Sequence, residues 1–204
     1  ITLLFSVVRY TEVIEAWLQG LERRLDVGLP LQSLASVASF FVSRVDSKVD
    51  PLLNRAEDAE LRGKAAIANA AQAYRVFRQT HDSESWQRLS RAGVQAQRPL
   101  WASTSTKDPR YPDVYYVEAL VAPDTVNTLP PETLEAYRDH GRPKVRIDEA
   151  MDAAPAQLSA LAQAGVDLVA VTRELEDEGV AKFAASHASV LTGIETKAEM
   201  LAAR

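Results

Sequence analysis

The chain contains no cysteine. That excludes a disulfide framework, a thiolate zinc site and a cysteine nucleophile, and it fits a reducing compartment. Positive charge is not in excess either: Lys and Arg number 23 against 28 Asp and Glu, a formal net charge of −5. A nucleic-acid binder presents the opposite balance, at least as a basic stripe, and none is visible. No apolar run approaches the roughly 20 residues that a membrane-spanning helix needs. No basic segment followed by an apolar stretch and a small-residue cleavage site opens the sequence. Neither nucleic acid nor membrane is therefore expected as a partner, and a cytoplasmic location is. The three histidines, His81, His140 and His187, fall in polar, helix-end or turn contexts without a second ligand at i+3 or i+4, so no metal site is expected. G-x-G-x-x-G, P-loop and G-x-S-x-G patterns are all missing.

What remains is an ordinary globular composition. The 204 residues are 47% apolar and 25% charged, enough for one sizeable core and one domain, or two small ones. The sequence opens at Ile1 inside the apolar run Ile1 to Val8, without a leading polar segment. A chain that begins within a buried strand is expected to have lost something before it.

Four short apolar runs alternate with helical patterns. The first is Thr2 to Val8; after it Val13, Trp17 and Leu21, with Ile14 and Leu18, share one helical face, closed by Gly28 and Pro30. The second, Val37 to Val42, is so continuously apolar that it reads as a strand covered on both faces. A helical stretch from about Lys48 to Phe77 follows, with an Ala-rich portion over 64–74. The third run, Arg98 to Ser103, comes after a short helix bearing Trp86 and Leu89 and a turn at Gly93. The fourth, Tyr115 to Ala122, stops at Pro123; beyond Pro131 only helices are expected, over 131–140, 148–164, 167–177 and 180–203, with Gly141, Gly165 and Gly179 as stops. This alternation predicts parallel βαβ units with helices layered on the strands. Periodicity leaves open whether they build an open doubly wound sheet or half of a (β/α)8 barrel.

In a barrel enzyme the chemistry sits at the C-terminal ends of the strands, so the polar residues there are the candidates. Ser39, inside an apolar strand, needs a hydrogen-bond partner, and a neighbouring backbone or a substrate would serve equally. Arg44, directly after that strand, needs an anion. A phosphate or sulfate would supply it, and so would a structural carboxylate such as Asp46 or Asp50. Lys107, after the polar loop Ser103 to Thr106, is either a second point charge for the same anion or an exposed loop lysine. The run Glu174, Glu176, Asp177 and Glu178 reads as a solvated helix face.

Several segments resemble one family: Thr2-Leu3-Leu4-Phe5-Ser6; Ser39-Phe40-Phe41-Val42-Ser43-Arg44-Val45-Asp46; Leu61-Arg62-Gly63-Lys64-Ala65-Ala66; Arg98-Pro99-Leu100-Trp101-Ala102-Ser103-Thr104; and Ala122-Pro123-Asp124-Thr125-Val126-Asn127. In order, they are similar to the later strands and helices of transaldolases, especially the bacterial branch also found fused to glucose-6-phosphate isomerase. The resemblance implies an α/β protein, a (β/α)8 TIM barrel of the class I aldolase type. Its reaction would be Schiff-base transfer of a dihydroxyacetone unit between phosphorylated sugars, in the pentose phosphate pathway, with no metal and no organic cofactor. By position it implies that Thr2 is the active-site threonine of the fifth strand, that Ser39 and Phe41 line the substrate channel, that Arg44 grips the substrate phosphate, and that Ser103 is the seventh-strand serine. The second phosphate-binding cation falls near Lys107, where the loop differs in length and other branches carry arginine.

One departure outweighs these matches. The family's Schiff-base lysine lies on a strand that would precede Thr2, in a Lys-aliphatic-Pro/Ala-Ala/Ser-Thr motif, and that motif does not occur. The six lysines are Lys48, Lys64, Lys107, Lys144, Lys182 and Lys197; Lys64 reads as structural or helix-capping. The acid–base carboxylates of the first and third strands are also missing. The expectation is a fragment: residues 1–140 as the second half of the barrel, strands five to eight, and 141–204 as the C-terminal helical segment of the same domain. Such a fragment holds no catalytic residue, needs the N-terminal half of the barrel to react, and is compatible with a homodimer. Two alternatives stay open, an isomerase domain following Arg204 and a non-catalytic remnant.

Overall fold

The computed structural model describes residues 1–53 and 56–202. Its framework is a parallel sheet in the order β1 (Val37–Phe41), β2 (Arg98–Ala102), β3 (Val126–Asn127), with Phe40 opposite Trp101 and Trp101 opposite Asn127. Residues 1–5 run alongside β1. The Ser39 N–H donates to the Ile1 carbonyl (3.0 Å), Leu4 to Ser39 (3.2 Å) and Phe41 to Leu4 (2.8 Å), with Leu4 bridging Phe40 in parallel. This first extended segment is shorter than the apolar run suggested. Ser6 caps helix α1 (Val7–Asp26), its hydroxyl accepting the Arg9 N–H at 3.1 Å, so Val7 and Val8 are already helical.

Alternation along the strands sorts their side chains into two unequal faces. Ala38, Phe40 and Trp101 are buried beneath α1 and α3 (Ala65–His81), and Tyr10 and Trp101 meet the Phe40 ring edge-on. Val37, Ser39 and Leu100 on the other face are only half-buried. The expectation that this strand is covered on both faces is corrected in part: α1 and α3 cover one face, and on the other Phe41 is buried while Val37 and Ser39 are half-buried.

The stretch 48–77 is not one helix. It breaks into α2 (Ser43–Val49), 3-10 turns over Asp50–Leu52 and Ala56–Leu61, and α3; residues 54–55 lie outside the described residues. Pro51 lacks the N–H that would continue α2, and Gly63 turns the chain at φ 72° before α3. A Cβ on Gly63 would stand 2.9 Å from the Tyr111 ring, so that ring packs directly on bare backbone. The alanines of α3 let α7 (Ile147–Gln163) approach closely. Pro155 inside α7 leaves the Met151 carbonyl without its helical donor, and Arg75 of α3 supplies one at 2.5 Å.

The fourth apolar run is corrected as well. Tyr115–Ala119 forms a short helix, α5, and the strand is β3, eleven residues after Tyr115 by number. Tyr116, Val117 and Leu120 are buried at helical spacing, which outweighs the strand propensity of a Tyr-Tyr-Val sequence. Helix α4 (Glu84–Arg91) carries Trp86 and Leu89 ahead of Gly93, as expected, and packs with α1 in a second small cluster. After β3 the elements among the described residues are helices: α6 (Pro131–His140), α7, and α8 (Leu168–Ala202). Gly165, at φ 89°, ends α7, but Gly179 does not interrupt α8. Its missing side chain admits Leu3 and Phe5, whose atoms would lie 3.0 and 3.5 Å from a Cβ there. The acidic run on α8 is docked rather than simply solvated: Lys48 bonds Glu174 (2.6 Å) and Glu178 (2.7 Å), and Arg9 bonds Glu176 (2.8 Å). No described helix is long and apolar enough to cross a membrane.

Candidate functional site

Parallel pairing brings the ends of β1 and β2 together, and the contact continues past both strands. The Val42 N–H donates to the Ala102 carbonyl and the Ser43 N–H to the Ser103 carbonyl, each at 2.9 Å. The first turn of α2, bearing Arg44, is thereby fastened to the start of the 103–111 loop. Ser103 holds a left-handed φ of 55°, a conformation that costs a non-glycine residue energy and that surrounding structure must enforce. Thr104, fully buried, anchors the loop beneath by donating to Asn127 Oδ1 at 2.8 Å.

The Arg44 guanidinium lies 5.8 Å from the centroid of the Phe41 ring, which stacks at 5.0 Å on Phe5. Among the described residues Arg44 has no carboxylate partner. Neither Asp46 nor Asp50 is its partner, because both are occupied elsewhere. Asp46 accepts the Ala66 N–H (2.8 Å) and the Tyr116 hydroxyl (2.9 Å); Asp50 accepts the Gly63 N–H (2.9 Å) and the Tyr111 hydroxyl (2.6 Å). Asp46 is in effect the N-terminal cap of α3, reaching in from α2. Lys64 stands at the cap position but makes no capping bond with its side chain, which corrects half of its expected role.

The remaining candidates divide into two groups. Ser39 and Phe41 share one face of β1, Ser39 half-buried and Phe41 buried, and the Ser39 hydroxyl has no bond among the described residues, so its backbone alone serves the sheet. Thr2 lies beside this strand and is exposed. Arg44, Ser103 and Lys107 belong to the C-terminal ends. Lys107 is exposed, donates to Ser105 Oγ at 2.8 Å and lines a cavity of about 400 Å³ together with Asp46, Asp50, Arg62, Tyr111 and Tyr116. Another cavity, about 550 Å³ and lined by Tyr74, His81, Trp86 and Asp124, lies toward the opposite strand ends. His81 is used structurally, its Nδ1 2.6 Å from the Phe77 carbonyl, and burial holds its pKa below the ordinary value. His140 pairs with Asp113 and Asp139, which raise its pKa. No three His, Cys, Asp or Glu side chains among the described residues converge as a metal site would require.

Burial pushes the Asp46 carboxyl up to about 7, with Asp50 adding to the shift and the Ala66 and Tyr116 bonds opposing it. An acid raised in the folded state keeps its proton while the unfolded chain, at an ordinary 3.8, has lost it. Its contribution to stability is complete below about pH 4 and disappears as pH rises through about 7, at no more than about 1.4 kcal/mol per pH unit. Asp46→Asn is expected to abolish that component. Urea unfolding of both proteins from pH 4 to 8 checks it, and parallel curves would contradict the assignment.

Parallel strands joined through helices define an α/β protein, and Arg44, Ser103 and Lys107 follow the C-terminal ends of its strands β1 and β2, where the barrel enzymes of this class place their chemistry. The chain belongs to the transaldolase/fructose-6-phosphate aldolase family, whose model matches residues 1–194. It is 48% identical over 204 residues to a transaldolase of Acidothermus cellulolyticus, covering 98% of this chain and 54% of that protein. A transaldolase of Parafrankia sp. is 51% identical over 187 residues, 90% of this chain and 51% of the relative. One of Thermobifida fusca is 47% identical over 207 residues, 100% and 55% respectively. The chain spans about half the length of the curated relatives it matches.

Proposed function

We propose that this chain is the C-terminal part of a cytoplasmic transaldolase, a (β/α)8 barrel of the class I aldolase type. Residues 1–5, β1, β2 and β3 are its strands five to eight. Residues 1–140 make the second half of the barrel, and 141–204 the C-terminal helical segment. The enzyme moves a dihydroxyacetone unit from a ketose phosphate, sedoheptulose 7-phosphate or fructose 6-phosphate, to an aldose phosphate in the pentose phosphate pathway. The observation that carries this reading is Arg44, a guanidinium at the end of a central strand with no described carboxylate partner, in a family of sugar-phosphate enzymes. The half-open sheet face bearing Ser39 and Phe41 becomes barrel interior once the remaining strands are present, and Thr2 then faces substrate rather than solvent.

In this division of labour the chain binds and the N-terminal half reacts. A strand-borne lysine outside these residues attacks the ketose carbonyl. The resulting Schiff base draws off the electron pair left by C–C cleavage, and carboxylates of earlier strands move the protons. Arg44, assisted by Lys107, holds the phosphate; Ser39, Ser103 and Thr2 contact the sugar hydroxyls, and Phe41 forms an apolar wall. No metal or organic cofactor enters. Of the chain's own lysines, Lys48 is a poor nucleophile: Glu174 and Glu178 hold it protonated, raising its pKa, the reverse of what an attacking amine needs. Borohydride added to the full-length enzyme with fructose 6-phosphate is expected to trap an adduct outside residues 1–204. An adduct on Lys64, Lys107 or any other of the six would overturn the reading.

A further inference from the structure

We propose that Asp46 and Asp50 are positioning residues for the phosphate site, joined with Tyr111 and Tyr116 in a clamp that sets Arg44 and Lys107 relative to one another. The inference rests on the phosphate-binding role given to Arg44 above and extends it to side chains that do not themselves meet substrate.

Asp46 and Asp50 are four residues apart, on successive turns of the same side of α2 and the 3-10 turn that prolongs it. Both are buried, and each divides its two oxygens in the same way. One oxygen takes a backbone N–H of the turn that starts α3, from Ala66 or Gly63, and the other takes a phenol, from Tyr116 or Tyr111. The Tyr115 hydroxyl adds a bond of 3.1 Å to the Gly63 carbonyl, and its ring stacks on Tyr111 with centroids 5.3 Å apart. Three separate pieces of chain, 43–50, 63–66 and 111–116, therefore meet on two carboxylates.

The consequence for the site follows from chain connectivity. Arg44 is the second residue of the helix that carries both carboxylates. Lys107 sits in the irregular loop between β2 and α5, which is held on either side of it, and His140 of α6 pairs in addition with Asp113 near the loop's end. Its beginning is held by the Ser43–Ser103 and Thr104–Asn127 bonds, and its end by Tyr111 on Asp50 and Tyr116 on Asp46. Between these anchors Lys107 bonds Ser105 and Asp108 pairs with Arg110, contacts local to the loop. The second anchor is thus what ties the far end of the loop to the helix bearing Arg44. A carboxyl group suits this work, because each of its two oxygens meets a different piece of chain, a backbone N–H on one and a phenol on the other.

The test uses the full-length enzyme and reads the inhibition constant of inorganic phosphate beside KM and kcat for fructose 6-phosphate. Tyr111→Phe removes one bond of the clamp while keeping the ring on Gly63 and Tyr115, and Tyr116→Phe removes the other. Each is expected to raise the phosphate Ki and the KM about three- to tenfold, the cost of one lost hydrogen bond, with kcat within about twofold. Combined with Arg44→Ala, neither should weaken phosphate binding further, since both act through the same contact. If Ki is unchanged in both tyrosine variants while Arg44→Ala raises it, the clamp is overturned and the phosphate site stands. If kcat falls in step with the rise in Ki, the residues merely support the scaffold and the proposal also fails. Should Arg44→Ala itself leave Ki unaltered, the phosphate reading falls and the clamp's role falls with it.

Discussion

Replacing Arg44 with alanine is expected to raise KM for fructose 6-phosphate by about 10- to 150-fold in the full-length enzyme, with little change in melting temperature. A hydrogen bond to a charged group contributes about 1.5–3 kcal/mol, and a phosphate gripped through two guanidinium nitrogens lies at the upper end. The effect on folding is small because the side chain holds nothing else together. Among the described residues it sits against the Phe41 ring at 5.8 Å, worth about 0.5–1 kcal/mol where exposed. Had Asp46 or Asp50 been its partner, the same substitution would have left a buried carboxylate uncompensated and would have destabilised the protein. Because both carboxylates are satisfied by Ala66, Gly63, Tyr111 and Tyr116, binding and stability separate. Arg44→Lys should recover only part of the loss, since an ammonium is a point charge without the planar fork. Unphosphorylated fructose, tried as donor, should not distinguish the variants. A KM unchanged by Arg44→Ala would remove the arginine from the site.

Wherever local pattern and tertiary packing agreed, the sequence could be read directly. Helix α1, β1, β2, α4, α6 and α7 appear close to their expected places because turn residues bound them and their apolar spacing matches the faces they bury. The failures share a cause. Tyr115-Tyr116-Val117 has strand-forming side chains, but their placement depends on Asp46 and Gly63, some 50 to 70 residues earlier, which receive the Tyr116 and Tyr115 hydroxyls. Gly179 resembles a stop until Leu3 and Phe5 are seen packed on it. Pro155 stands inside α7 without ending it, because Arg75 takes up the carbonyl it frees. In each case a residue far along the chain supplies what local rules said was missing.

The site was legible to a similar degree. Arg44 stood out as a candidate from position alone, because a guanidinium directly after an apolar strand favours an anionic partner. Which anion did not, since the alternatives lay two and six residues away. The clamp tyrosines gave no signal at all: the i, i+4 spacing of Asp46 and Asp50 was visible, but nothing local joins it to a loop 60 residues on. One further feature was visible in part. Beyond Gly179, α8 exposes Val180, Phe183, Val190, Leu191, Ile194 and Leu201, which recur at helical spacing without a described partner.

The second large effect concerns stability. Trp101→Ala is expected to destabilise the protein by about 3–5 kcal/mol, the range for deleting a buried tryptophan. Trp101 is fully buried at the centre of β2, edge-on to Phe40 at 6.3 Å, and its indole N–H donates to the Leu120 carbonyl at 3.0 Å. Three losses coincide in the variant. The apolar contact with Phe40 goes, a cavity opens between the sheet and the helices above it, and the Leu120 carbonyl loses its donor in a place closed to water. The strand should survive, because the Trp101 carbonyl accepts from the Thr128 N–H and hydroxyl through backbone geometry alone. At roughly 2–4 °C per kcal/mol for a chain of this size, the melting temperature should drop by about 6–20 °C. Trp101→Phe separates the contributions, retaining most of the ring while losing the indole bond, and should cost about 1–3 kcal/mol. Thermal and urea unfolding measure both. A loss below about 1 kcal/mol for Trp101→Ala would mean that the helices do not bear on this face of the sheet, and the one-sided packing described for β1 and β2 would have to be abandoned.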